Sequence, residues 1–340
     1  ELELRLQKLE GDENHTPITD RAKIFHDTQL RNLYRIMRQP EVVLDIVTKH
    51  YSTFMWADVQ KVLHRYVDEA PLFQRLDAKL KNSNELMELR PEGVSSEDKA
   101  IYTTRTMLKA EKSLIENAEI LDQSKTHGVK EYSIVQAITK AGEVLKNHGG
   151  LSQDQKRAIY HMADEGQIKR IVGIAGAGKT TALGVCQNIW HTEGYAVYGL
   201  APTGKAVQNL EQSGISSMTL HKFLKSFEEE RCQYNPDSVL VLDEAGMVDM
   251  ERFEKLLGVV KQLGVKLVTV GDGAQLQPVE AGPAFRLITA RLGKAELNTV
   301  IRQKEEWQRE ATVLFGRQET QAALQKYVDK GHVHIVDEGQ

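Results

Sequence analysis

The spacing of apolar residues along the chain changes character near residue 150. Before that point apolar residues recur every three or four positions, as they do on one face of an amphipathic helix. The predicted faces include Leu30, Leu33, Tyr34 and Met37; Val59, Val62, Leu63 and Tyr66; and Met107, Leu108, Leu114 and Ile115. We therefore predict an all-helical N-terminal region over residues 21–150, preceded by a polar linker over residues 1–20.

From residue 151 onward, short apolar runs alternate with helical patterns. The runs are rich in β-branched residues and cover residues 171–174, 196–200, 239–242 and 267–270. Strands that alternate with helices build a parallel sheet with helices on both faces. The pattern predicts an α/β fold, in which ligands bind beyond the carboxyl ends of the strands.

A polar motif follows each of these predicted strands. A glycine-rich loop occupies residues 173–180, and residues 202–206 follow the next strand. Asp243 and Glu244 end the third apolar run, and residues 271–275 follow the fourth. Because the carboxyl ends of parallel strands meet at one edge of a sheet, we expect these motifs to converge on one site.

The glycine-rich loop carries the most specific signal in the chain. Residues 173–180 spell G-x-x-x-x-G-K-T between a predicted buried strand at 168–172 and an apolar helix pattern. Glycines at these positions let backbone N–H groups turn toward phosphate oxygens. Lys179 can reach the β- and γ-phosphates, and the Thr180 hydroxyl can ligate Mg²⁺. The sequence therefore predicts a nucleoside triphosphate site.

The acidic pair and a glutamine supply the groups that phosphoryl transfer needs beside such a loop. Asp243 can hold Mg²⁺ opposite Thr180, and Glu244 can orient and deprotonate the attacking water. Gln275, in the glycine-rich segment after the next strand, can form a hydrogen bond to the γ-phosphate and so sense its presence. The three side chains complete a predicted hydrolytic site.

Weaker patterns lie on either side of this site. Gln155 could recognise the edge of adenine by paired hydrogen bonds, although Ser152-x-x-Gln155 is equally an ordinary capping box. Residues 201–206 and 219–224 combine hydroxyls, backbone donors and single basic residues. Such groups suit the backbone of single-stranded nucleic acid, so we predict that both segments line a strand-binding track.

Composition restricts the range of possible functions less than the motifs do. The 340 residues are 41% hydrophobic and 27% charged, as is usual for a globular protein. A net charge of −4 gives no global sign of nucleic-acid binding, although a local basic groove would suffice. Cys186 and Cys232 are isolated, which argues against a zinc site or a disulfide framework. No apolar run has the length of a membrane span, and we expect a cytoplasmic protein.

Taken in order, the motifs resemble those of superfamily 1 DNA helicases of the RecD-like branch. They read G-I-A-G-A-G-K-T-T, A-P-T-G-K-A, T-L-H-K-F-L, L-D-E-A-G-M, G-D-G-A-Q-L-Q-P-V and V-I-R-Q. Within that branch the chain is most similar to the helicase region of the Ti-type conjugative transfer relaxases of bacteria. Four segments carry this narrower resemblance, namely residues 52–54, 102–104, 306–311 and 327–333.

The resemblance implies a RecA-like P-loop NTPase domain that uses ATP and Mg²⁺ and moves 5′ to 3′ along single-stranded DNA. Nucleotide contacts are implied for Gln155, Gly173, Gly176, Ala177, Gly178, Lys179, Thr180 and Thr181. Thr180 and Asp243 would hold Mg²⁺. The catalytic residues would be Lys179, Asp243, Glu244, Gln275 and Arg302, with Arg302 stabilising the charge of the transition state. DNA contacts are implied for Pro202, Thr203, Lys205, Thr219 and His221.

The same resemblance sets the expected domain boundaries. Residues 151–295 would form the first RecA-like lobe, and residues 296–340 the start of a second lobe with its first strand near residues 332–336. The later helicase motifs, and the catalytic Tyr and His cluster of a nicking domain, are not found in this sequence. Because translocation needs two lobes that close on ATP, we expect this chain alone to bind nucleotide and to hydrolyse it poorly. We do not expect it to unwind duplex DNA.

Other functions stay open at this stage. The chain could be a non-motor module that binds nucleotide or DNA and serves interactions, including those with other conjugative transfer proteins. A P-loop kinase is disfavoured, because kinases lack the A-P-T-G-K-A and G-D-x-x-Q-L motifs. Stimulation of ATP hydrolysis by single-stranded DNA would separate the motor from both alternatives.

Overall fold

The structure, a computed structural model, divides the chain between Leu108 and Lys109 into two compact units. It describes residues 20–89, 100–146, 149–231, 234–272, 284–300, 303, 305–316 and 319–333. Each unit has its own apolar core.

The first unit combines helices with a small antiparallel sheet. Its elements are α1 (Asp20–Arg38), α2 (Val42–His50), β1 (Phe54–Met55), α3 (Trp56–His64), α4 (Ala70–Lys81), β2 (Leu86–Leu89), β3 (Ile101–Thr104) and the start of α5 (Arg105–Asp122). The described strands are ordered β1-β3-β2, with Phe54 opposite Tyr102. The prediction of an all-helical region therefore missed a sheet, because strands of two to four residues are too short to show an alternating pattern.

Two details of the first unit depend on its packing. The apolar face of α1 is centred on Ile36, which is 1% exposed, whereas Tyr34 on the predicted face is 45% exposed. Thr104 ends β3 and caps α5, since its Oγ1 accepts a hydrogen bond of 3.1 Å from the Met107 N–H. The Thr103 hydroxyl donates to the Ser52 carbonyl at 2.7 Å, which fastens β3 beside the loop that leads into β1.

The second unit is built around a parallel sheet. After α5 come α6 (Glu131–Val144), α7 (Gln153–Ala163), β4 (Ile168–Gly173), α8 (Lys179–Thr192), β5 (Ala196–Ala201), α9 (Gly204–Gln212), β6 (Ser216–Thr219), α10 (Leu220–Glu228), β7 (Ser238–Leu242), α11 (Met250–Leu263), β8 (Lys266–Gly271), α12 (Ala284–Leu292), β9 (Ala295–Leu297), α13 (Glu306–Gly316) and α14 (Thr320–Asp329). The described strands are ordered β6-β5-β7-β8-β4-β9, and every pair is parallel. The predicted α/β fold with a RecA-like sheet is confirmed.

The centre of this sheet is buried on both faces. All five residues of β7 and all six of β8 are buried, which explains why the runs at 239–242 and 267–270 do not alternate between apolar and polar positions. The four predicted strands are β4, β5, β7 and β8. The strands β6 and β9 were not predicted, because Ser216–Thr219 is polar and Ala295–Leu297 is short.

The structure also bears on the expected domain boundaries, which stay predictions. Helix α6 packs on the core of the second unit, where Ile134 is 5% exposed. Strand β9 pairs with β4 and so belongs to the sheet of the first predicted lobe. The predicted strand near residues 332–336 falls largely outside the described residues. No helix in the described part of the chain combines the length and apolar character of a membrane-spanning helix.

Candidate nucleotide-binding site

The glycine-rich loop connects β4 to α8 as the sequence predicted. Gly176 and Gly178 adopt φ angles of 80° and 76°, a left-handed conformation that side chains disfavour. Gly178 is the N-cap of α8, and the Ala177 N–H turns back to the Ile174 carbonyl at 3.2 Å. The first turn of α8 therefore presents its N–H groups at the end of the loop, where they favour an anion.

Lys179 is the first residue of α8 and folds over the loop. Its Nζ donates to the Gly173 carbonyl at 2.6 Å and to the Ile174 carbonyl at 3.5 Å. Thr180 follows at an exposed position in the first helical turn, and Thr181 is half-buried. The ammonium group is thus held within the loop by backbone carbonyl groups.

Asp243 and Glu244 follow β7, two strands away from β4 in the sheet. The Asp243 N–H donates to the Leu200 carbonyl at 2.9 Å, and the Glu244 N–H donates to Asp243 Oδ1 at 2.9 Å. Glu244 has a φ of 51°, which is rare for a residue with a side chain and costs about 1–2 kcal/mol. Strained backbone at Glu244 therefore positions the acidic pair at the carboxyl edge of the sheet.

The charges of this edge act on one another. Burial raises the pKa of Asp243 above its usual value, and the Glu244 N–H and the Lys179 charge oppose that rise. Burial, followed by the charge of Asp243, raises the pKa of Glu244, and Lys179 again opposes it. The structure thus brings Lys179 together with both carboxylates, as the strand-end argument predicted.

Asp272 joins this group and is not among the residues predicted from the motifs. It follows β8, and its charge contributes to the raised pKa of Glu244. Its position after an apolar strand, within G-D-G, was the available signal. Among the described residues, no group of three or more potential metal-ligating side chains is assembled.

The side chain of Gln155 is buried and forms hydrogen bonds within the protein. It is 1% exposed, its Oε1 accepts from the Ser152 N–H at 2.9 Å, and its Nε2 donates to the Gly178 carbonyl at 3.2 Å. The Ser152 Oγ accepts from the Gln155 N–H at 3.2 Å, so the capping box exists. Adenine recognition by Gln155 stays a prediction, and it would require the amide to exchange these partners.

Each of the two segments predicted to bind single-stranded DNA contains the N-terminus of a helix, and the two N-termini are neighbours. Thr203 caps α9 by accepting from the Ala206 N–H, and Thr219 caps α10 by accepting from the Lys222 N–H, each at 3.3 Å. Strands β5 and β6 pair with Ala201 opposite Thr219, so both helices start from the same edge of the sheet. Lys205 and His221 are exposed there, and Pro202 is half-buried.

Two predicted catalytic residues, Gln275 and Arg302, lie outside the described residues. The strands that precede them in the sequence are described. β8 ends at Gly271, and β9 ends at Leu297 beside the phosphate loop. The roles of both side chains stay predictions.

Comparison with known proteins agrees with this geometry. Residues 150–338 match the protein family described as the AAA domain. The chain is 36% identical to a probable conjugal transfer protein TraA of Sinorhizobium fredii, over 92% of this chain and 28% of the relative. It is 29% identical to the ATP-dependent RecD2 DNA helicase of Deinococcus radiodurans, over 46% of this chain and 22% of the relative.

A further relative is the multifunctional conjugation protein TraI of Escherichia coli, 28% identical over 54% of this chain and 11% of the relative. The chain thus spans less than a third of the length of each of these relatives. These matches confirm the predicted resemblance to RecD-like superfamily 1 helicases and to conjugative transfer relaxases.

Proposed function

Since the chain belongs to the AAA domain family, we propose that it is part of an ATP-driven motor that moves along single-stranded DNA during conjugative DNA transfer. The observation that carries the proposal is the convergence of the phosphate loop, Lys179 and the pair Asp243–Glu244 at one edge of the sheet. A helicase-type ATPase needs these groups in one place.

The residues of the site fit ATP and Mg²⁺. The left-handed Gly178 and the N-terminus of α8 suit phosphate oxygens, and Lys179 can exchange the Gly173 carbonyl for a phosphate oxygen. Thr180 and Asp243 offer the hydroxyl and carboxylate oxygens that Mg²⁺ prefers. We propose further contacts from the loop residues Gly173, Gly176, Ala177 and Thr181.

The remaining residues would act on the reaction itself. Bound Mg²⁺ supplies charge neutralisation at the phosphates. Glu244 would orient the attacking water and accept its proton, because it follows the strand that presents Asp243 and lies within electrostatic reach of Lys179. Gln275 would sense the γ-phosphate, and Arg302 would stabilise the charge that develops on it.

The DNA track would run over the starts of α9 and α10. Two neighbouring helix N-termini, the hydroxyls of Thr203 and Thr219, and the exposed Lys205 and His221 can bind successive phosphates. Pro202 offers an apolar surface beside them. The 5′ to 3′ direction of movement is part of the proposal and rests on the resemblance to the RecD-like branch.

The test is ATP hydrolysis by the chain with and without single-stranded DNA, compared between wild type and Lys179→Ala. Hydrolysis by this chain alone should be slow, but we expect single-stranded DNA to stimulate it. Lys179→Ala should lower the stimulated rate about 100-fold, because it removes a charge that stabilises the transition state. Lys112→Ala is the matched control, since Lys112 is 77% exposed on α5 and should leave the rate unchanged.

The outcomes separate the candidate functions. Nucleotide binding without stimulation by DNA would contradict the motor and support a non-motor module. A rate that is insensitive to Lys179→Ala would contradict the assignment of the nucleotide site itself.

A further inference from the structure

The chain segment that leads to Arg302 starts beside the phosphate loop. Strand β9 pairs with β4 so that Leu297 lies opposite Gly173. The Ile174 N–H donates to the Leu297 carbonyl at 3.3 Å, and a Cβ placed on Gly173 would lie 2.9 Å from Leu297 Cβ. Whatever fixes the residues after Leu297 therefore also fixes how the chain leaves the nucleotide site.

One carboxylate holds those residues. Asp154 Oδ2 accepts hydrogen bonds from the Asn298 N–H at 3.2 Å, the Thr299 N–H at 3.1 Å and the Thr299 hydroxyl at 2.8 Å. The next side chain, Val300, is 4% exposed. Residues 298–300 are thus fastened by polar and apolar contacts just before Arg302.

The carboxyl group of Asp154 is ionised at neutral pH. Its partial burial opposes ionisation, but hydrogen bonds from Thr299, Arg157 and the backbone of residues 298–299 outweigh burial and hold the pKa of Asp154 below its usual value. Hydrogen bonds to an ionised carboxylate are shorter and stronger than those between neutral groups. The fastening therefore stays intact across the physiological pH range.

The same end of α7 also holds the phosphate loop. Asp154 is adjacent to Gln155, whose amide bridges the Ser152 N–H and the Gly178 carbonyl. Helix α7 thus contacts the last glycine of the loop through one residue and the segment before Arg302 through its neighbour. The two segments therefore contact the same helical turn.

We propose that Asp154 is a positioning residue that holds residues 298–300 in place relative to the phosphate loop, and that it acts through them on Arg302, which follows Val300 by two positions in the sequence. The inference rests on the proposed function, because it gives Arg302 its role at the γ-phosphate. It adds a residue to which none of the helicase motifs assigns a role. The competing explanation is that Asp154 only stabilises the first turn of α7, as acidic residues at helix N-termini do.

The test uses the dissociation constants of ADP alone and of ADP with aluminium fluoride, a mimic of the phosphoryl group in transfer, measured with single-stranded DNA present. A residue that orients Arg302 affects the mimic and leaves ADP unchanged. We expect Asp154→Ala to weaken binding of the mimic about tenfold and to change ADP binding less than about twofold. Thr299→Val should reproduce part of the effect.

Asp249→Ala is the matched control. Asp249 caps α11 by accepting from the Arg252 N–H at 2.8 Å, so its loss also weakens a helix N-terminus. It should lower the midpoint of denaturant unfolding, as a lost cap does, and leave both dissociation constants unchanged. An Asp154→Ala variant that behaves like Asp249→Ala would overturn the proposal.

A double-variant cycle completes the test. If Asp154 acts through Arg302, the combination of Asp154→Ala with Arg302→Ala should bind the mimic no more weakly than Arg302→Ala alone. Additive losses would contradict a shared route while leaving the motor proposal intact. If Lys179→Ala and Arg302→Ala both bind the mimic like wild type, the proposed function itself fails, and the positioning role fails with it.

Discussion

Gly173 is the residue at which the sheet, the phosphate loop and Lys179 meet. A Cβ at this position would lie 2.9 Å from Leu297 Cβ and 3.1 Å from Lys179 Cγ. Real Cβ atoms do not approach other carbons so closely, so either β9 or the stem of Lys179 would have to move. The glycine is required here by close packing rather than by a left-handed φ.

We predict that Gly173→Ala lowers the free energy of unfolding by about 1–3 kcal/mol and weakens nucleotide binding, because it displaces β9 or Lys179. Denaturant unfolding and titration with a fluorescent ATP analogue measure the two effects. Gly184→Ala is the control, since Gly184 lies within α8 with open space around its Cα. It should instead raise the free energy of unfolding by about 0.5–1 kcal/mol. Equal effects of the two substitutions would contradict the packing argument.

Gln155 shows what a single residue's sequence context leaves undecided. The S-x-x-Q pattern allowed both a capping box and recognition of adenine. The structure contains the capping box, and the Gln155 amide also donates to the Gly178 carbonyl of the phosphate loop at 3.2 Å, while recognition of adenine stays a prediction. Spacing within α7 contains no information about that carbonyl.

At the scale of elements, Arg170 joins β4 to α5 and α12. Its side chain is 3% exposed, and its guanidinium donates to Asp122 Oδ1 at 2.5 Å, the Leu292 carbonyl at 3.0 Å and the Gly293 carbonyl at 2.8 Å. It therefore closes the end of α12 onto the sheet. A buried cation is tolerated here because its donors have acceptors from three directions.

We predict that Arg170→Ala lowers the free energy of unfolding by about 3–5 kcal/mol, because it removes a cation whose partners are arranged around it. Arg291→Ala on α12 is the control, because Arg291 is 65% exposed and pairs with Glu119 at 2.8 Å. It should change the free energy of unfolding by less than about 1 kcal/mol. Urea unfolding followed by circular dichroism distinguishes them, and comparable losses would refute the role of burial.

At the scale of the whole molecule, a buried lysine links stability to pH. Lys266 starts β8 at 0% exposure, and its Nζ donates to the Asp164 carbonyl at 2.5 Å and the His127 carbonyl at 3.2 Å. Burial, followed by the charge of Lys169, lowers the pKa of Lys266 from 10.5 to about 7. The folded protein therefore releases a proton that the unfolded chain retains between those two values.

We predict that the free energy of unfolding rises with pH above 7, since the unfolded state binds more protons there. Relative to Lys266→Met, wild type should gain about 1 kcal/mol per pH unit between about pH 7.5 and 9.5. Lys261→Met, at an exposed position on α11, should keep the slope of wild type. Parallel curves for wild type and Lys266→Met, from denaturant unfolding at each pH, would show that Lys266 stays charged in the fold.

Much of the second unit was predictable from local sequence, and less of the first. β4, β5, β7 and β8 are the interior strands of the sheet and are largely buried, so the apolar runs at residues 171–174, 196–200, 239–242 and 267–270 are easily recognised in the sequence. The edge strands β6 and β9 and the small sheet of the first unit carry no such signal. Their pairing is provided by neighbours distant in sequence, such as Tyr102 for Phe54.

The sequence alone determined the alternation of strands and helices, the phosphate loop and the order of the motifs, because glycine spacing and apolar runs act over a few residues. Only the tertiary structure decided the strand order and which partners the charged side chains bind. Nothing in the local sequence distinguishes Asp154, Arg170 and Lys266 from ordinary polar residues. Each nevertheless has a hydrogen-bond partner more than 100 positions away in the chain. Whether a charge is solvated or buried depends on those distant groups, and no local pattern contains them.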